Sequence, residues 1–98
     1  MTIYQFRATV TASSGSTSST SLNIRGGICR QVLIVANTAT TVFQPYITDD
    51  HGIEVSRYSL QTGEMSDITS IPMAGQYTVS ITNASPDDTF QILFGVEE

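Results

Sequence analysis

The 98-residue chain contains no Lys and no Trp, one Cys, one His, and only 13% charged residues. Each shortage removes a class of explanation. Without Lys, the basic groups are Arg7, Arg25, Arg30 and Arg57, and nine acidic residues leave a formal charge of −5. Nucleic-acid binding asks for a basic footprint that this balance does not supply. A lone Cys29 excludes an intrachain disulfide and leaves the redox compartment open. With Trp absent and Tyr4, Tyr46, Tyr58 and Tyr77 scattered, no aromatic platform for a sugar stands out. General acid–base chemistry would fall to His51 or to a carboxylate of raised pKa. His51 lies in an Asp-Asp-His-Gly turn, where polar residues are expected in any case. No apolar run approaches the roughly 20 residues of a membrane-spanning helix, so no membrane partner is expected. Met1 opens a polar stretch rather than an apolar signal core, so no export signal is expected either.

What is abundant is Ser, Thr and alternation. Tyr77, Val79 and Ile81 share one face of the stretch from Ala74 to Asn83, with Gln76, Thr78, Ser80 and Thr82 on the other. That is the period of a half-buried strand. Phe90, Ile92, Phe94 and Val96 repeat the pattern after the turn residues Asn83 to Asp88, which predicts a terminal hairpin. Tyr4, Phe6, Ala8, Val10 and Ala12 mark a long first strand. Ser13 to Ser21 has little to bury and reads as a flexible Ser/Thr-rich loop. Residues 1–21 are thus expected to form a strand and loop able to act as an exchange arm, ahead of a β-sandwich core over 22–98.

Leu22 and Ile24 suggest a short strand that ends at Arg25-Gly26-Gly27. Ile28 to Ala36 is the most continuous apolar run, which predicts a central strand covered on both faces from Val32 onward. Val42 to Thr48 is strand-like, although Pro45 marks an edge or a bulge. After the Asp49 to Gly52 turn, Ile53 and Val55 are expected to point inward. Gln61 to Ser70 reads as an irregular crossover between sheets. About seven short strands and no helix give an all-β, antiparallel β-sandwich. The Gly75-Gln76-Tyr77-Thr78-Val79 stretch resembles the tyrosine corner of immunoglobulin-type domains, which makes an immunoglobulin-like topology one expectation.

Chemistry-bearing constellations are few. Asp49 and Asp50 form one acidic pair in a turn, and Asp87 and Asp88 form another. Hard oxygen ligands suit Ca²⁺, but neither pair has the ligand spacing of a calcium loop; the two turns would have to meet to share an ion. Acidic side chains solvating a turn are the simpler reading. Cys29 reads as a small core residue. No nucleophile motif singles out a serine, so no catalytic residue and no cofactor is assigned.

One order of segments does carry further. Gly26-Gly27-Ile28-Cys29-Arg30-Gln31-Val32-Leu33-Ile34 leads to Ile47-Thr48-Asp49-Asp50-His51-Gly52-Ile53. Then come Thr62-Gly63-Glu64, Ile71-Pro72 and Gly75 to Ala84. Over about residues 22 to 94 this order is similar to small β-sandwich structural proteins of tailed bacteriophage particles. The resemblance implies a non-catalytic virion component, assembled in the host cytoplasm. Its role would be capsid decoration or cement, binding the major capsid protein and further copies of itself in a homo-oligomer. A head–tail junction or tail component is the alternative within the virion. Under this reading the contact residues are Tyr4, Phe6, Arg7, Arg25, Gly26 and Gly27. A receptor- or sugar-binding module, using a loop-end site near the two acidic pairs, stands beside it as a second class.

Overall fold

The computed structural model describes residues 2–13 and 17–98. These contain seven strands and no helix: β1 (Ile3–Thr11), β2 (Ser18–Ala36), β3 (Val42–Thr48), β4 (Glu54–Arg57), β5 (Gln61–Thr62), β6 (Glu64–Thr82) and β7 (Thr89–Glu97). All pairings are antiparallel, in one sheet of order β1-β7-β2-β6-β3-β4, with β5 attached to β3. The all-β, seven-stranded reading holds.

The sheet is not flat. Phe43 of β3 and Phe90 of β7 lie three strand steps apart along the sheet, about 14 Å if it were planar, yet their ring centroids are 4.9 Å apart. The doubling happens in β2 and β6, which run 19 residues each and pair along almost their whole lengths. Their register breaks between Ile24 and Gly27. Opposite that break, Gly75 takes a φ of 102°, which a side chain would resist. Residues 64–73 and 27–36 thus form one layer with β7 and β1; residues 18–24 and 75–82 form the other with β3 and β4. Two separate stacked sheets were expected, and the structure has one continuous sheet folded over its core.

The connectivity also differs from the immunoglobulin expectation. β1, two arms each of β2 and β6, β3, β4 and β7 make eight segments. Numbered along the chain, they stand 1-8-3-6 in one layer and 2-7-4-5 in the other, the strand order of a jelly roll. The tyrosine does bond back to upstream backbone: the Tyr77 hydroxyl accepts from the Ala74 N–H at 3.0 Å and donates to its carbonyl at 3.4 Å. It fastens the bend in β6 rather than an immunoglobulin corner.

Other expectations are corrected by what flanks each strand. The terminal hairpin does not form, because residues 78–82 are already paired with β2 and β3. The Asn83 to Asp88 turn instead carries the chain across to the other layer. It uses positive φ at Asn83 and Asp87, residue types that tolerate it. The crossover predicted over 61–70 is mostly strand, with Met65 buried and Glu64, Ser66 and Ile68 outward. Ser18 to Ser21 belong to β2 rather than to a loop, with Ser18 buried and its Oγ accepting from the Ser13 N–H at 3.0 Å. Ser14 to Ser16 lie outside the described residues. Ile53 and Val55 are exposed: Ile53 lies just before β4, and β4 is the edge strand of its layer. Pro45 sits where the outer neighbour of β3 changes from β5 to β4, so its missing N–H interrupts no ladder there.

One core fills the fold. Val10 and Ala12 of the N-terminal segment join Val32, Ile34, Phe43, Ile47, Val79, Ile81, Phe90, Ile92, Phe94 and Val96 in it. Cys29 is fully buried as a small core residue; burial pushes its thiol pKa up, and the thiol donates to the Gln31 carbonyl at 3.4 Å.

A polar tie also joins the layers: the Tyr58 hydroxyl, just past β4, donates to Asp67 Oδ2 of β6 at 2.9 Å. Burial, aided by the Asp67 charge, pushes the Tyr58 pKa up to about 12. In the unfolded chain a tyrosine ionises near 10. The unfolded state therefore loses this proton first as pH rises. The contribution is fully present below about pH 10 and is lost between about pH 10 and 12. Urea midpoints measured across that window should fall for the wild type and fall less steeply for Tyr58→Phe. Equal slopes would assign the alkaline loss to other groups.

Candidate interaction surface

The residues expected to make contacts divide into two places. At one corner the start of β1, the end of β7 and the bend of β2 converge. There the Arg25 guanidinium lies 5.0 Å from the centroid of the half-buried Tyr4 ring, a cation–π arrangement. Gly26 is exposed, with open space where a Cβ would stand. At Gly27 an added Cβ would fall 2.7 Å from the Glu97 carbonyl oxygen and 2.8 Å from Val96 Cγ1. Glycine there lets β2 leave the bend pressed against β7, so Gly27 is a packing residue of the corner. Phe6 packs against the core at partial burial, and only Arg7 of that strand's contact set faces fully outward. Its guanidinium donates to Gln5 Oε1 at 3.0 Å.

Beside this corner lies a surface that the residue types alone did not identify. The strand registers place Arg7, Leu93, Leu33 and Ser66 in one row across the outer face of the β1–β7 layer. Neighbouring rows hold Thr9, Gln91, Val35 and Glu64, and then Gln5, Gly95, Gln31 and Ile68. A shallow open depression of about 440 Å³ lies over Arg7, Thr9, Leu33, Val35, Gln91 and Leu93. Ile68 is 78% exposed, Ile3 57% and Val35 37%. Cover on both faces of the β2 run was expected, but among the described residues a second layer lies only over the inner face. At the rim, Arg30 Nε pairs with Glu97 Oε2 at 3.2 Å, and the same guanidinium donates to the Ser70 hydroxyl. The continuous apolar run at Ile28 to Ala36 was the signal for this face; from sequence it could not be assigned to a second layer or to another molecule.

The acidic turns do not converge. Asp49, Asp50 and His51 bring potential ligand atoms within 4.8 Å of one another, and Asp87 and Asp88 are not part of that group. Asp49 Oδ1 already accepts from the backbone N–H groups of His51 and Ile53, both at 2.9 Å. Asp88 Oδ2 accepts from the Ser85 N–H at 3.1 Å. These carboxylates shape their turns. His51 Nδ1 sits 2.9 Å from Asp50 Oδ1 on an exposed loop. No helix among the described residues is long and apolar enough to cross a membrane. Set against protein-family models the chain matches none, and no curated protein matches it either.

Proposed function

We propose that this chain is a non-catalytic structural subunit of a tailed-phage particle: a capsid decoration protein whose β1–β7 layer lies against the major capsid protein. The observation that carries this reading is the outer face on which Ile68 and Val35 are exposed and Leu33 and Leu93 half-buried among polar neighbours, with no other layer of the described residues over it. Apolar side chains grouped on one exposed face are candidate contact points for another molecule. The jelly-roll strand order is compatible, since capsid domains use it; lectin domains do as well, so the fold alone carries little weight. The 13% charge content and the hydroxyl-rich strands suit a surface held against neighbours more than a freely diffusing one.

Co-sedimentation of the purified chain with isolated empty capsids tests the proposal, and saturable binding is the expected result. Leu33→Glu and Ile68→Glu should each weaken binding by more than about tenfold, because each buries an unpaired charge in the contact. Both positions face outward, so thermal midpoints should move by no more than a few degrees. Wild-type protein left in the supernatant would end the capsid assignment. Normal binding by both variants would move the contact off this face.

A further inference from the structure

We infer that the chain associates with copies of itself head to tail, the β1 edge of one copy adding to the β6 edge of the next as a continuous sheet. This inference does not depend on the virion assignment. β1 and residues 64–73 are the two edges of the same four-stranded layer, and they run antiparallel to each other.

Their hydrogen-bonding phases agree. The Glu98 N–H donates to the Thr2 carbonyl and the Ala12 N–H to the Asp88 carbonyl, so even-numbered residues of β1 turn their backbone groups toward β7. Ile3, Gln5, Arg7, Thr9 and Thr11 therefore present theirs at the open edge. On the far side the Ala36 N–H donates to the Gly63 carbonyl, which fixes Met65 and Asp67 as bonded to β2. Glu64, Ser66 and Ile68 then present theirs outward. A register irregularity between the pairs Cys29–Ile71 and Gln31–Ile68 ends this regular run. Both open sets have side chains on the outer face, so joining the edges extends the sheet without turning either copy over.

Side chains choose the register. With Ile3 opposite Ile68, Gln5 opposite Ser66 and Arg7 opposite Glu64, an apolar pair, a hydrogen-bonding pair and an opposite-charge pair form together. Shifting by two residues sets Gln5 against Ile68 and leaves both charges facing hydroxyls. The symmetric alternatives fit less well. β1 on β1 meets Ile3 with threonine, or sets Arg7 against its own copy. The 64–68 edge on itself, centred on Ser66, sets Glu64 against Ile68. Like charges or mismatched pairs directly opposite weaken a ladder, whereas matched pairs strengthen it. A head-to-tail contact is heterologous, so it builds a ring or an open row rather than stopping at two copies. Five paired residues fall short of the roughly 1,200 Å² of a stable interface, so association depends on concentration.

Sedimentation velocity of the full chain over a concentration series is the test. Wild type should sediment faster as concentration rises. R7E and E64R should each weaken association by about tenfold, the effect of turning an opposite-charge pair into a like-charge pair. An equimolar mixture of the two variants should restore it, since every contact between unlike variants has opposite signs. Hydrogen exchange on wild type should show concentration-dependent protection at Gln5 and Ser66 but not at Thr9 or Thr11, and it decides the matter if a variant fails to fold. A wild-type chain that stays monomeric throughout overturns the inference. So does weakening by R7E without rescue in the mixture, or protection confined to β1.

Discussion

Deleting residues 1–12 should abolish cooperative folding rather than release a trimmed core. Residues 2–12 contribute Val10 at 6% exposure and Ala12 at 5% to the common core, with Phe6 and Ala8 packed against it. β1 also closes the edge of β7 through a nine-residue register, Ile3↔Glu97 to Thr11↔Thr89. Burial of these apolar groups is worth about 5 kcal/mol at the usual transfer coefficients. A domain of this size has only about 5–15 kcal/mol in total. The truncated chain would in addition expose β7 as a long apolar edge, a template for aggregation. The measurement is a thermal or urea transition followed by circular dichroism. A sharp transition within a few degrees of the wild-type midpoint would make the segment an independent arm, as the Ser/Thr-rich stretch that follows it suggests, and would separate β1 from the core.

That contrast shows where the sequence speaks and where it falls silent. Alternation in Tyr77, Val79 and Ile81, and in Phe90 to Val96, placed those side chains in the core, because a strand buried on one face must alternate whatever pairs with it. Pairing itself was not legible. β6 and β7 are joined by six residues and look like a hairpin, yet each is flanked by strands distant in sequence. Local turn chemistry cannot report which edges are already taken. Ser18 to Ser21 read as a loop because hydroxyls carry little apolar signal; in the sheet Ser21 Oγ and Thr78 Oγ1 meet across strands at 3.0 Å, and the inward Ser18 is buried. The corner was half legible. Arg25, Gly26 and Gly27 pointed to it, and Tyr4 joins it through the guanidinium contact. The uncovered face was hidden, because a run such as Val32 to Ala36 looks the same whether its second cover is a layer of its own chain or another molecule.

Phe90→Ala should be the most damaging single truncation, costing about 3–5 kcal/mol through lost transfer energy and an unfilled cavity. Phe90 is fully buried, and its ring meets Phe43 at a 55° tilt across the two layers, so its loss opens a cavity in the core that both layers share. The thermal midpoint should drop by on the order of 20 °C for a domain this small. Phe90→Leu, which keeps most of the volume, should cost about 1 kcal/mol. A double-mutant cycle with Phe43→Ala should return a coupling of about 0.5–1.5 kcal/mol, the size of a tilted aromatic pair. The consequence reaches the surface. β2 and β7 carry Leu33 and Leu93 on their outer faces, so under the proposed capsid contact Phe90→Ala should weaken co-sedimentation even at temperatures where the chain stays folded. Urea midpoints settle the packing claim directly: a loss under about 1 kcal/mol for Phe90→Ala would mean that the two layers are not held by this contact.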